Sequence, residues 1–199
     1  MNIKTLAAAA YLTLASLAPA WAVSLDIVGG QLQGASNVIV GTSSFDVEFL
    51  DGTCAALFGG CNAPGDFAFT DEATALGAAQ ALLDQVFVDV PGGAFDSDPR
   101  LTRGILQSTG NIIIPFAAGD PRFAAAIFIN KPGSSVDEFY SANPLFTLDT
   151  LFQTDLAFAR FTSTSVPSAV PLPAGGLLLL SALAGLGALR RGKKHAAWG

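Results

Sequence analysis

The clearest pattern of hydrophobic and polar positions along the chain is a strict alternation in residues 44–50. Aromatic and aliphatic side chains alternate there with acidic ones, in the order Phe45, Asp46, Val47, Glu48, Phe49. Because successive side chains of a strand point to opposite faces, this period of two predicts a β-strand with one buried face. The two acidic residues then lie together on its solvent face.

Five other segments have the short apolar pattern of strands. Two of them are joined by Gly119-Asp120-Pro121, a turn sequence that predicts a hairpin. The five segments are Leu25–Val28, Asn37–Val40, Asn111–Ile114, Phe123–Ile129 and Asp155–Thr162.

The segment from Asp71 to Phe87 has the period of an amphipathic helix instead. Thr70 or Asp71 can cap its first turn, Glu72 suits the positive end of the helix dipole, and the prolines and glycines of residues 91–93 cannot continue it. Its apolar residues recur at helical spacing on one side, which we expect to pack on a sheet. They are Ala75, Leu76, Ala79, Leu82, Leu83, Val86 and Phe87.

Together these elements predict a mainly β fold. We expect an antiparallel β-sandwich or roll with one packed amphipathic helix; a layered α+β sheet is the alternative. The predicted β-rich domain, residues 23–161, is long enough to bury a sizeable core. Residues 162–169, rich in Ser, Thr and Pro, are predicted to form a flexible tether between this domain and the C-terminal segment.

Residues 1–22 have the three parts of a secretory signal peptide. Lys4 is the positive residue, an apolar stretch extends to Ala18, and Ala20 and Ala22 are the small residues of a cleavage site. We therefore expect the mature chain to begin at Val23. An uncleaved anchor fits less well, because the apolar stretch is short.

The other end carries a second apolar stretch, from Leu172 to Leu189, without a charged residue. As a helix it would be roughly 27 Å long, close to the thickness of a bilayer core. A basic cluster follows in residues 190–194, and the positive-inside rule keeps such a cluster in the cytoplasm. The pattern predicts a transmembrane helix that leaves the preceding domain outside; its basic residues are Arg190, Arg191, Lys193 and Lys194.

Residues 170–194 resemble a VPLPA-type C-terminal sorting signal, related to the PEP-CTERM signals of Gram-negative bacteria. The resemblance rests on a proline box, an apolar helix and a basic cluster in that order; the box consists of Val170, Pro171, Leu172, Pro173 and Ala174. It implies processing near the box by an exosortase, an integral-membrane cysteine transpeptidase. It also implies export across the inner membrane, a transient single-pass state with a cytoplasmic C-terminus, and delivery to the cell surface or beyond. A short tail, residues 195–199, follows the basic cluster and departs from the pattern.

The charge distribution limits the partners of the exported region. Residues 23–169 contain five basic residues and all 16 acidic residues of the chain, a net charge of −11. Nucleic acid and anionic lipid both require a basic face, so we expect neither as a partner of this region.

The two cysteines, Cys54 and Cys61, are separated by a short loop that contains Gly59 and Gly60. In an exported protein this arrangement favours a local disulfide. A metal site or a redox pair is the alternative, although no histidine lies nearby.

Candidate catalytic residues are few. The only histidine, His195, lies beyond the apolar stretch, so the exported region lacks a histidine base or metal ligand. Asp46 and Glu48 form an imaginable glycosidase pair, but two acids on one strand face are usually a solvated surface. Asp96 and Asp98 are weak calcium candidates, and we expect no other cofactor.

We therefore expect a non-enzymatic exported protein of the cell surface or extracellular matrix, which an exosortase processes. A module that binds carbohydrate, such as exopolysaccharide, is the first alternative. Against it, both tryptophans, Trp21 and Trp198, lie in the targeting ends, so the exported domain has none to stack on sugars. A hydrolase that acts through carboxylates is the least supported alternative.

Overall fold

The computed structural model describes residues 22–119, 121–132, 137–145 and 147–164. The predicted sorting signal (170–194), with its transmembrane helix and basic cluster, lies outside these residues. So do the tail and all of the predicted signal peptide except Ala22. None of the helices in the described part of the chain is long and apolar enough to cross a membrane.

Nine strands and two α-helices make up the described part of the chain. The strands are β1 (Ser24–Val28), β2 (Gln31–Val40), β3 (Ser43–Leu50), β4 (Asp89–Val90), β5 (Gly93–Ala94), β6 (Gly110–Ala117), β7 (Ala124–Asn130), β8 (Glu138–Ala142) and β9 (Leu156–Ser163). The helices are α1 (Cys54–Leu57) and α2 (Glu72–Gln85), and 3₁₀ turns occupy Pro64–Asp66, Pro99–Leu101 and Thr150–Phe152.

Seven strands form one sheet in the order β1-β2-β3-β9-β6-β7-β8, and β4 and β5 form a separate small hairpin. All neighbours in the large sheet are antiparallel except β6 and β9, which are parallel. The fold is mainly β, as predicted, but the antiparallel sandwich or roll is wrong. The sheet is mixed because β9 returns from a long connection and inserts between β3 and β6. No second large sheet is present in the described residues; α2 covers one face instead.

The predicted helix is confirmed, and most of its predicted apolar side is buried, but Leu76 and Leu83 are only partly buried. Asp71 caps α2 by accepting hydrogen bonds from the backbone N–H and the hydroxyl of Thr74, at 2.9 and 2.7 Å. These bonds, the backbone one first, hold the pKa of Asp71 below its ordinary value. The helix packs on β2, β6, β7 and β8. Its buried residues are mostly alanines, namely Ala75, Ala78, Ala79 and Ala81 with Leu82, so the helix can approach the sheet closely.

A large core lies between α2 and the sheet, and aromatic rings run through it. Phe87, just past the end of the helix, contacts Phe49 of β3 and Phe128 of β7, with ring centroids 5.4 and 5.1 Å apart. A second ring cluster joins Phe45 and Phe161 to Phe69 of the preceding loop. The alternation predicted for β3 therefore holds, since Phe45, Val47 and Phe49 are all buried on this face.

A smaller core covers part of the opposite face. The loop that contains α1 packs there, together with the segment that leads into β9. Cys54 and Cys61 form the predicted disulfide in this loop, and both cysteines are buried. The predicted pairing of β6 with β7 also holds, although Asp120 of the connecting turn is outside the described residues. The last strand extends to Ser163, two residues into the predicted tether.

Candidate functional site

An open groove of about 590 Å³, lined mostly by polar side chains, lies on β1, β2 and β3. It lies largely on the sheet face opposite α2, beyond the part that the disulfide loop covers. We call it the polar groove. Its polar lining side chains are Ser24, Asp26, Gln33, Ser36, Asp46, Glu48 and Arg103.

The two acidic residues predicted to share the outer face of β3 both line the polar groove. Asp46 is exposed and Glu48 is half-buried, whereas the residues between and beside them are buried. An Asp46 carboxylate oxygen accepts a hydrogen bond from the backbone N–H of Asn37, which has a positive φ of 62° and lies at an irregularity in β2. The period of the strand therefore places both carboxylates on the outer face of β3. The backbone of β2, at its irregularity, donates a hydrogen bond to the Asp46 carboxylate.

Glu48 is engaged by two arginines. Its Oε2 lies 2.5 Å from Nη2 of Arg160, the residue opposite it on β9, and its Oε1 lies 3.9 Å from Nη1 of Arg103. Arg160 also donates to the backbone carbonyl of Leu57 in the disulfide loop, at 3.3 Å. All three charged side chains remain roughly half exposed, so each pair contributes little to stability. Arg160 therefore hydrogen-bonds the Glu48 carboxylate, and Arg103 adds a second positive charge close to it.

The arginines were not among the residues that the sequence identified. The weak alternation of the last strand places Arg160 on its outer face, but only the adjacency of β9 and β3 brings it to Glu48. Arg103 comes from a loop whose backbone N–H bonds the carbonyl of Leu32 in β2, at 3.0 Å. Both contacts depend on long-range pairing of the chain.

Asp96 and Asp98, the two calcium candidates, lie in one acidic loop but have different partners there. Both carboxylate oxygens of Asp98 accept hydrogen bonds from the Arg100 guanidinium, at 2.7 and 2.9 Å, and this pairing lowers the pKa of Asp98. Burial raises the pKa of Asp96, and the nearby carboxylates of Asp137 and Asp89 add to the effect. Calcium at Asp96 and Asp98 stays a prediction, but the arginine occupies the oxygens that a cation would need.

Asp89 organises the same loop. Its Oδ1 accepts from the backbone N–H groups of Asp96 and Ser97, both at 3.1 Å, and its Oδ2 accepts from the Ser97 hydroxyl at 2.6 Å. The hydroxyl bond is the main reason that the pKa of Asp89 is lowered. Throughout the described ranges, no three His, Cys, Asp or Glu side chains are grouped so that they could hold a metal ion.

In chemical terms the polar groove offers carboxylate, amide, hydroxyl and guanidinium groups on a surface that is open to solvent. None of the described residues that line it is aromatic. Such a surface can exchange hydrogen bonds with the hydroxyl groups of a sugar but provides no ring for stacking. No protein-family model, curated protein or solved structure matches this chain.

Proposed function

We propose that the chain is a non-enzymatic exported protein that an exosortase-type signal sorts to the cell surface or extracellular matrix. The observation that carries the proposal is the order of three features in residues 170–194: a proline box, an uncharged apolar stretch and a basic cluster. The signal-peptide pattern of residues 1–22 supports it independently from the other end of the chain.

The disulfide supports an extracytoplasmic location on separate physical grounds. Cys54 and Cys61 are bonded and buried in the smaller core, and no free cysteine remains in the described residues. Structural disulfides form and persist in oxidising compartments and are rare in the cytosol. A disulfide built into a core therefore suits a protein that folds after export.

The surroundings of Glu48 support a non-enzymatic role. A general acid needs a carboxyl group that can hold a proton, and a nucleophile needs a carboxylate with access to its substrate. The Oε2 atom of Glu48 instead accepts a hydrogen bond from Arg160, and the Arg103 guanidinium lies 3.9 Å from Oε1, so this carboxylate already has partners within the protein. Asp46 alone does not provide the pair of carboxylates that glycoside hydrolysis uses.

The sorting proposal predicts a shortened mature protein. In cells that possess the cognate exosortase, intact-mass measurement is expected to find the exported protein without the apolar stretch and basic cluster. Replacing both Pro171 and Pro173 with alanine is expected to leave the full C-terminus in place, because the processing motif is lost. Trp198→Ala, in the tail, is the control and is expected to be processed normally. If the unmodified protein retains residues 177–194, the sorting proposal is wrong and the segment is a plain membrane anchor.

A second candidate function is carbohydrate binding in the polar groove, and the observation that favours it is the concentration of hydrogen-bonding side chains there. The producer's own exopolysaccharide is the ligand that a matrix location would supply. Asp46 is the most accessible acidic group on β3 and would accept hydrogen bonds from sugar hydroxyls.

Binding in the polar groove predicts that Asp46→Ala weakens retention of the mature protein on that polysaccharide. The expected loss is about tenfold or more, since a hydrogen bond to a charged group is worth roughly 1.5 to 3 kcal/mol. Asp84→Ala is the matched control, because Asp84 is also exposed but lies on α2, outside the polar groove. If the unmodified protein is not retained at all, the carbohydrate candidate is wrong, and the sorting proposal is unaffected.

A further inference from the structure

The seven-stranded sheet is open, so it has two edge strands, β1 and β8. Within the residues that the structure describes, no strand pairs with the outer edge of either one. An edge strand presents unpaired backbone N–H and C=O groups that can bind another strand, and proteins usually protect such edges with charge, irregularity or a covering segment. The two edges of this sheet differ in that protection.

The β1 edge is protected in three ways. Asp26 places a charge at the centre of the strand, and the pairing of β1 with β2 is interrupted by a register shift next to it. Ile27 is partly buried, with its side chain close to Gly92 in the turn between β4 and β5. A second strand pairing there would have to accommodate the register shift and desolvate the Asp26 carboxylate.

The β8 edge lacks these features. Its pairing with β7 is regular along all five residues. Its only charged residue, Glu138, is at one end, where the Lys131 ammonium lies 2.5 Å from the carboxylate. The central residues are aromatic and exposed: Phe139 is 46% and Tyr140 47% exposed. A regular, nearly uncharged aromatic edge is the kind that pairs with another chain.

We propose that β8 is a homodimer interface, in which two copies pair their β8 strands antiparallel about a two-fold axis. A two-fold interface must be self-complementary. Pairing centred on Tyr140 meets this condition, because it places Glu138 of one copy opposite Ala142 of the other and opposes no like charges. The same arrangement at β1, centred on Asp26, would place two carboxylates opposite each other, which is destabilising.

The aromatic residues give the pairing its specificity. Phe139 and Tyr140 lie opposite Phe128 and Ile127 of β7, on the two faces of the sheet. In the dimer each would acquire a neighbour from the other copy, and aromatic cross-strand pairs contribute to sheet association. The hydroxyl of Ser141 is already engaged by Glu72 of α2, which holds β8 against its own helix. The strand is therefore fixed in place before it meets a partner.

The test is cysteine cross-linking in cells that export the full chain. Opposite residues in an antiparallel pair have Cα atoms about 4.5 to 5.5 Å apart, within the range of a disulfide. Tyr140→Cys is expected to give a disulfide-linked dimer on non-reducing gels, about tenfold more than Asp26→Cys at the other edge, because only a residue near the axis lies within about 7 Å of its own copy. Phe139→Cys and Ser141→Cys, one position off the axis, are expected to cross-link less.

Cross-linking that peaks at a position within β8 supports the two-fold pairing. Two results would overturn it. One is a yield no higher than that of Asp26→Cys at all three β8 positions. The other is a dimer that forms only when Tyr140→Cys and Asp26→Cys chains are produced together, which would show head-to-tail pairing of β8 with β1.

A second test of the dimer uses no introduced cysteine and therefore does not depend on disulfide formation. In analytical ultracentrifugation of the full chain in detergent, Tyr140→Glu is expected to shift the protein from dimer to monomer, because two carboxylates would meet at the axis. Tyr140→Phe, which keeps the ring, is expected to stay dimeric. Unchanged circular dichroism of both variants shows that the fold is retained, and a dimer that persists in Tyr140→Glu would contradict the proposal.

Discussion

Replacing Phe158 with alanine is expected to lower the free energy of unfolding by about 3 to 5 kcal/mol, the usual cost of removing a fully buried phenylalanine. Phe158 is 0% exposed and lies in β9 between Leu50 of β3 and Ile113 of β6. Its ring contacts Phe58 of the disulfide loop and Phe123, with centroids 5.6 and 6.1 Å apart. The truncation would leave a cavity in the smaller core, next to the loop that the disulfide closes.

The position of β9 makes this effect large. In the described sheet, β9 is the only strand that joins the β1-β2-β3 half to the β6-β7-β8 half. Loss of packing on β9 therefore weakens the connection between two halves that have no other backbone pairing.

Urea denaturation followed by circular dichroism measures the effect, and the chain offers a matched control. Phe152 is 82% exposed on the 3₁₀ turn just before β9. Phe152→Ala is expected to change the free energy of unfolding by less than about 0.5 kcal/mol, as for most surface substitutions. Equal effects of the two variants would mean that the smaller core is not packed as described.

Replacing Gly34 with alanine is expected to lower the free energy of unfolding by about 3 kcal/mol or more, at or above the upper end of ordinary overpacking costs. Gly34 is buried in β2, opposite Glu48 of β3. A Cβ atom at this position would lie 2.1 Å from the backbone carbonyl oxygen of Val47. A backbone oxygen cannot rotate away as a side chain can, so β2 and β3 would have to separate.

Gly77 provides a control of opposite sign. It is exposed in α2, and a Cβ atom there would meet nothing within 4 Å. Gly77→Ala is expected to raise the free energy of unfolding by roughly 0.5 to 1 kcal/mol, because alanine restricts the unfolded chain and favours the helix. The same substitution should thus destabilise at one site and stabilise at the other in one denaturation series. A Gly34→Ala variant as stable as the unmodified protein would contradict the close approach of the two strands.

Local patterns predicted the individual elements well. The alternation in residues 44–50 identified β3 and the face that carries Asp46 and Glu48, and helical spacing identified α2 with its buried side. The disulfide was predicted from the short loop between Cys54 and Cys61. The strand β8 was missed, because the exposed Glu-Phe-Tyr-Ser-Ala sequence of residues 138–142 has no apolar alternation, and β2 was predicted only in part. An edge strand need not bury one face, so it carries little of the pattern by which strands are recognised.

The sequence likewise predicted only part of the candidate site. Sequence alone placed the Asp46 and Glu48 carboxylates side by side, since the period of a strand is local. It did not bring Arg160 or Arg103 to Glu48, because those contacts join residues far apart in the chain. The sequence showed Glu48 only beside Asp46 on one strand face; the structure adds a hydrogen bond from Arg160 and the nearby Arg103 guanidinium.

What the sequence by itself determined about this protein is the buried side of its most regular elements, β3 and α2, and where its two cysteines can join. It also contains the targeting patterns on which the proposed sorting rests. Only the tertiary structure decided that seven of the strands form one mixed sheet rather than an antiparallel sandwich, and that β9 lies between β3 and β6. The physical reason is that backbone hydrogen bonds between strands are nearly independent of sequence. Strand order is therefore set by which apolar faces can be covered together, here by α2 on one side and the disulfide loop on the other.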